Sequence, residues 1–269
     1  MTLILATIEQ DCVLDPDFEM PRVDKLGVDT GFAYDSNLFV RLSKRRIQSV
    51  GLTQNLDGGR RNAIIGKKAV DLDLVLKFSP GVVAARPNYP LVIRLLETAR
   101  RSQRGSSPRF DVVLVDQMLS VVLREAPGQL HLHALFLDDK RMEKAGAFLA
   151  CHGVTYERVH PEAFAPLALS NAAQCYQWTQ RFGDLRPLRA AAWELSRRLV
   201  AVRGARKAKA PPSSKAMLMR LDDELAGIAE SLGVGLDDAY TLLGAAVKFG
   251  FARPDPRKRL AVMEPLYLI

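Results

Sequence analysis

Residues 69–90 read AVDLDLVLKFSPGVVAARPNYP, and the fold turns on this stretch. Val70, Leu72, Leu74, Val75, Leu76 and Phe78 are too densely apolar for a surface helix, so the segment is expected to lie buried against a sheet. It should stop before Ser79-Pro80, because proline disfavours helical geometry in its predecessor. Gly81 then opens a short strand, Val82-Val83-Ala84-Ala85.

Further along, Arg109-Phe110-Asp111-Val112-Val113-Leu114-Val115 reads as a strand opening on an aspartate, and Gln129–Phe136, QLHLHALF, as another. Leu137-Asp138-Asp139-Lys140 starts an amphipathic helix, apolar at Met142, Ala145, Phe148 and Leu149, which ends at Gly153 before the strand Thr155–Val159. The strand at Phe110–Val115 is expected to neighbour the one at Leu130–Phe136 in a mixed sheet, with the helices at 69–78 and 138–151 packed on it.

Composition admits an intracellular partner of negative charge. The chain of 269 residues is 48% hydrophobic, enough for a large domain and a small one, and its net charge is +8. Cations cluster at Arg41, Lys44, Arg45 and Arg46, at Arg60, Arg61, Lys67 and Lys68, at Arg100, Arg101, Arg104 and Arg109, and between Arg203 and Lys215. Of these Arg45, Arg46, Arg60, Arg61, Lys67, Lys68, Arg100, Arg101 and Arg104 are the candidate DNA-phosphate contacts. Cys12, Cys151 and Cys175 are too widely spaced for a disulfide framework or a zinc knuckle, which points to a reduced, cytoplasmic protein. No run reaches the ~18 apolar residues of a membrane helix, and the opening MTLILATIEQDCV lacks a signal peptide's basic flank, so no membrane partner is expected.

The segmentation is expected as follows: an irregular acidic arm over 1–35, an α/β domain over 36–168, a helical extension over 169–203 with Trp178 and Trp193 as packing anchors, a basic linker over 204–216, and a small helical domain over 217–269. In the last, Asp222 can cap a helix bearing Leu225, Ile228, Ala229 and Leu232 that ends at Gly233. Asp237 can cap a second helix, with Tyr240, Leu243 and Val247 as its stripe and Gly250 as its stop. Phe251–Arg253 and Leu260–Val262 can then pair as a basic hairpin, a winged-helix pattern. The second helix begins with Asp237-Asp238 and carries only Lys248 as a cation, a poor reader of base edges, so protein contact is as reasonable a use for this domain.

Taken in order, the segments between about 45 and 180 resemble the TnsA family, transposon-end endonucleases with a restriction-endonuclease-like domain followed by a winged helix. The residues carrying the likeness are LDLVLKFSPGVVAARPNYP, the Asp111 strand, the acid-rich start at Asp138-Asp139 with its long helix, glycine and strand, and Pro166-Leu167-Ala168-Leu169-Ser170-Asn171 with Tyr176 beyond. The resemblance implies an α/β fold, a restriction-endonuclease-like mixed sheet flanked by helices and followed by a small helical winged-helix domain. It also implies DNA, an integrase-type transposase and an ATP-dependent regulator as partners, with the C-terminal domain as a docking element.

A nuclease of this kind needs a carboxylate on the helix, an aspartate at the start of a strand and Glu-x-Lys on the next strand, so that acids hold Mg²⁺ and lysine orients water. By distance to Pro80 the helix acid falls on Ala69; Asp71 points to another face, and Asp73, one turn on, is the possible substitute. Asp111 matches the second, metal-binding position, while the Glu-x-Lys positions hold His131 and His133. The two histidines share a strand face, which leaves open an iron or zinc set with Asp111. An alternative register uses Glu125, with Pro127 where lysine belongs. No Gly-rich phosphate loop and no nucleophile elbow is present. The resulting expectation is a DNA-associated, TnsA-like subunit of a transposition or mobile-element machine with weakened or lost catalysis. Two alternatives stay open: an active Mg²⁺-dependent endonuclease cleaving transposon ends, and a nucleic-acid or protein-binding module unrelated to transposition.

Overall fold

The computed structural model describes residues 50–54, 56, 61–87, 91–92, 112–113, 118–123, 130–134, 146–147, 149–158, 164–209 and 219–269. An antiparallel pair, β1 (Val50–Gln54) and β2 (Arg61–Ile65), leads through Gly66 into α1 (Lys67–Lys77). The helix closes as the sequence suggests: the Ser79 hydroxyl donates to Val75 O at 2.6 Å and Val82 N–H to Ser79 O at 3.0 Å, turning the chain over Pro80-Gly81 into β3 (Val82–Pro87). Leu72, Leu74, Val75 and Leu76 are all buried, which is why no wet face is legible in this helix.

The main sheet runs β3, β6 (Met118–Leu123), β7 (Leu130–Ala134), β8 (Thr155–Arg158). The first three are antiparallel and β8 lies parallel to β7. A parallel neighbour requires a crossover, and helix over 149–151 ends at Gly153, in the left-handed region at φ 63°, just before β8. A separate pair, β4 (Leu91–Val92) and β5 (Val112–Val113), follows β3 and precedes β6 in the same antiparallel sense. Pro87 faces Leu119 in the main sheet, whereas Leu91 faces Val113 in the separate two-stranded sheet, so the Val112 segment and β7 belong to different sheets.

This corrects the expected strand order. The segment around Val112 does not neighbour β7; β6 does, with His131 opposite Val121. The apolar run of β6, MLSVVL, supplies the intervening strand, and a contiguous hairpin closes at a smaller loop-entropy cost than a direct β5–β7 pairing.

The helical half is built around its last helix. α2 (Pro166–Thr179), α3 (Arg189–Lys209) and α4 (Leu221–Leu232) pack on α5 (Leu236–Phe249), and α1 packs on α2. Every residue of α5 from Ala239 to Val247 is buried. Gly244 permits this closeness, since a Cβ there would stand 2.6 Å from Thr179 Cγ2 and 3.2 Å from Cys175 O. One apolar cluster runs from Leu56, Ile64 and α1 through Leu195 and Leu199 to Leu243 and Leu266. Each fully buried leucine contributes about 1.5–3 kcal/mol, so the C-terminal helices and α1 stabilise one another.

Four further expectations differ. α3 continues to Lys209, through the first half of the anticipated 204–216 linker, because Ala, Arg and Lys are good helix formers and Arg203 is anchored by paired hydrogen bonds to the buried Glu224 carboxylate at 2.9 and 2.6 Å. The C-terminal strand pairing is Pro254 with Leu268, not Phe251–Arg253 with Leu260–Val262. Asn171 on α2 holds the intervening loop instead, donating to Lys258 O at 2.9 Å and accepting from Leu260 N–H at 2.7 Å. Trp178 packs on Tyr240 as an anchor, with centroids 5.0 Å apart, but Trp193 is 55% exposed. Asp222 and Asp237 stand in the first turns of α4 and α5, whose caps are Arg220 and Gly235; carboxylates there suit the positive ends of the helices.

Candidate functional site

The sequence places candidate chemistry on α1, whose inner face meets β1. Ala69 and Asp73 are both buried and Asp71 is not, as helical spacing requires. Asp73 is fully enclosed, and Lys77, one turn on, donates from Nζ to Asp73 Oδ2 at 2.6 Å and to Thr53 Oγ1 of β1 at 2.8 Å. Asp73 Oδ1 is buried without a hydrogen-bond partner. Asp71 is engaged at the rim by Lys67 at 3.0 Å.

Mg²⁺ requires several oxygen ligands in near-octahedral array and surrenders its waters reluctantly. Ala69 offers no oxygen, and Asp73 is neutralised by a lysine and sealed beneath β1. The described part of α1 therefore does not fit the ion. A buried ion pair with one orphaned carboxylate oxygen is instead a structural element whose members depend on each other.

On the sheet, His131 stands opposite Val121 and Thr155, and His133 opposite Leu119 and Glu157. Glu157 beside His133 escaped sequence reasoning, because a parallel register is set by the crossover and leaves no local trace. Asp111 and Glu125 lie outside the described residues. β6 is the neighbour of β7, and the sequence carries an aspartate two residues before Met118. That residue, Asp116, lies outside the described residues.

Of the candidate phosphate contacts, Lys67 and Lys68 are exposed on the first turn of α1, and Arg61 occupies a β2 position paired with Gln54. Arg45, Arg46, Arg60, Arg100, Arg101 and Arg104 lie outside the described residues. The helix that would enter the major groove in a winged helix, α5, is enclosed by α2 on one side and by α3 and α4 on the other. Its N-terminal Asp238 pairs with Arg181 of the α2–α3 connection. Burial from Ala239 to Val247 leaves only the acidic first turn, Leu236–Asp238, open at the N-terminal end of α5.

A cavity of about 360 Å³ lies between the end of α1, α2 and the C-terminal segment, walled by Val75, Phe78, Ala172, Cys175, Val247 and Pro254 among others. Burial pushes the Cys175 thiol up to about 12, so it lines this apolar space as a neutral group. Among the described residues no helix is long and apolar enough to cross a membrane. The chain matches no protein-family model and no curated protein.

Proposed function

We propose that this chain is a DNA-associated, TnsA-like subunit of a transposition or mobile-element machine that has lost metal-dependent cleavage. The observation carrying the loss of chemistry is on α1, where Asp73 is spent on Lys77 beneath β1, while the resemblance puts the helix acid on Ala69 of the same face. The scaffold reading is supported by the order of elements, α1, β3, β6, β7, a helix closing at Gly153, and β8, the succession in which the resembling family carries its motifs. In this reading β6 takes the place of the aspartate-bearing strand. The net charge of +8 supplies non-specific affinity for duplex DNA, and the enclosure of α5 leaves the C-terminal helices for protein contact.

A plasmid-nicking assay with Mg²⁺ and with Mn²⁺, beside duplex binding over a salt series, tests the reading. The expected result is no nicking and an affinity that falls steeply with salt. Nicking abolished by Asp111→Asn or Asp116→Asn would restore the active endonuclease. Absence of salt-sensitive DNA binding would favour a binding module unrelated to transposition, a reading to which the pairing of β5 with β4 instead of β7 lends weight.

A further inference from the structure

Helix α3 has two apolar faces and only one is covered. Ala192, Leu195 and Leu199 point into the core, whereas Trp193 and Val200, seven residues apart, are 55% and 62% exposed on the outside with Arg197 between them. Trp193 touches the core only edge-on, through Phe251 at 5.1 Å.

The face carries Arg197 between its two apolar residues, on a helix that is strongly positive as a whole. α3 carries seven cations against one carboxylate, Glu194. Glu194 is shared by Arg197 and Arg198, both at 2.8 Å, which leaves one guanidinium charge uncompensated there, while Arg203 and Arg206 turn to Glu224 of α4, at 2.6 and 3.5 Å, and add charge along the flank of the helix. A tryptophan and an arginine in an apolar stripe are the residue types that dominate binding energy at interfaces.

Charge and chemistry narrow the occupant. A second copy would bring two positive faces together. The backbone of duplex DNA would satisfy the guanidinium groups and give Trp193 and Val200 nothing apolar to pack on. An acidic segment with interspersed apolar residues satisfies both, and the chain carries one: residues 1–35 hold eight carboxylates, among them Asp11, Asp15, Asp17 and Glu19, against Arg22 and Lys25, with Val13, Leu14, Phe18 and Met20 interleaved.

Reach is ample. Leu185 N–H, four residues before α3, donates to Leu56 O at 2.9 Å, just beyond the β1 strand that the arm feeds. Residues 36–49 alone can extend ~46 Å at about 3.3 Å per residue, against ~31 Å for the whole of α3.

We propose that the outer face of α3, around Trp193, Arg197 and Val200, is the docking site of this chain's own acidic N-terminal arm. Such docking masks the most basic helix of the described chain, so it opposes polyanion binding there and is loosened by salt.

The test uses the full chain carrying Trp178→Phe, which leaves Trp193 as the sole tryptophan, and measures its acrylamide quenching. The expected result is at least a twofold rise in the quenching constant when Asp15→Lys, Asp17→Lys and Glu19→Lys are combined, and a like rise at high salt, both independent of protein concentration. Equal quenching with and without the charge reversal would overturn the proposal. So would shielding that grows with protein concentration, which assigns the face to a second copy, or shielding that appears only with added duplex DNA. Should Trp178→Phe fail to fold, zero-length carbodiimide coupling of the unmodified chain gives the second reading. Links from arm carboxylates to Lys207 or Lys209 support the docking, and arm links confined to Lys67 and Lys68 refute it.

Discussion

Lys77 Nζ lies 2.6 Å from Asp73 Oδ2, one turn along the same helix, with both side chains closed off from solvent. Neither could be buried alone, since an unpaired charge in a core costs several kcal/mol. Lys77→Met should therefore destabilise the chain by about 3–5 kcal/mol, whereas Asp73→Leu combined with Lys77→Met should recover most of that loss. Urea midpoints at constant slope measure both. A Lys77→Met chain as stable as the parent would mean that solvent reaches the pair after all.

The α2–α5 crossing gives a second test. Gly244→Ala improves helix propensity, but its methyl would stand 2.6 Å from Thr179 Cγ2, so overpacking should prevail by about 1–3 kcal/mol. Thr179→Ser removes that methyl and keeps the hydroxyl that donates to Cys175 O at 2.9 Å. The double variant should be more stable than Gly244→Ala alone in thermal unfolding; simple additivity would show that the two groups do not meet.

Asn171 satisfies two backbone groups of the C-terminal loop, a carbonyl at Lys258 and an N–H at Leu260. Asn171→Ala strands both and should cost about 1–3 kcal/mol. Asn171→Asp retains the acceptor and loses the donor, so an intermediate stability is expected. The faster hydrogen exchange of the Leu260 amide in the alanine variant alone would confirm which group was lost.

Thiol chemistry separates two cysteines by pH. Cys151 is exposed, while burial raises Cys175 to about 12, above the ordinary value near 8.5. An acid whose folded pKa is raised favours the native state fully below its unfolded pKa, and that contribution fades as pH climbs from there toward 12. At pH 8 iodoacetamide should label Cys151 in the native chain and Cys175 only after unfolding, as read by peptide mass. Equal native labelling of the two would contradict the sealed helix contact.

Local signals made much of the helical framework legible: the proline after α1, and Gly233 and Gly250, which end α4 and α5 at φ 68° and 78° as only glycine does readily. The buried face of α1 was legible as well, through Ala69 and Asp73 at one-turn spacing. What stayed hidden depends on partners distant in sequence. The Lys77–Thr53 hydrogen bond spans 24 residues, the clamp from Asn171 to Leu260 spans 89, and the helix through 204–209 is anchored by Glu224. The strand β6 was hidden for another reason: an apolar run with no alternation carries no period to read.

The enclosure of α5 has a consequence for how the polypeptide can be divided. A break between Lys209 and Met219 would separate α4 and α5 from the surfaces of α2 and α3 that they cover, leaving each fragment with its apolar side open. The two pieces should be poorly soluble apart and reassemble when co-expressed. The chain thus offers a split-protein reporter whose complementation needs no fused dimeriser, with α5 as the inserted plug.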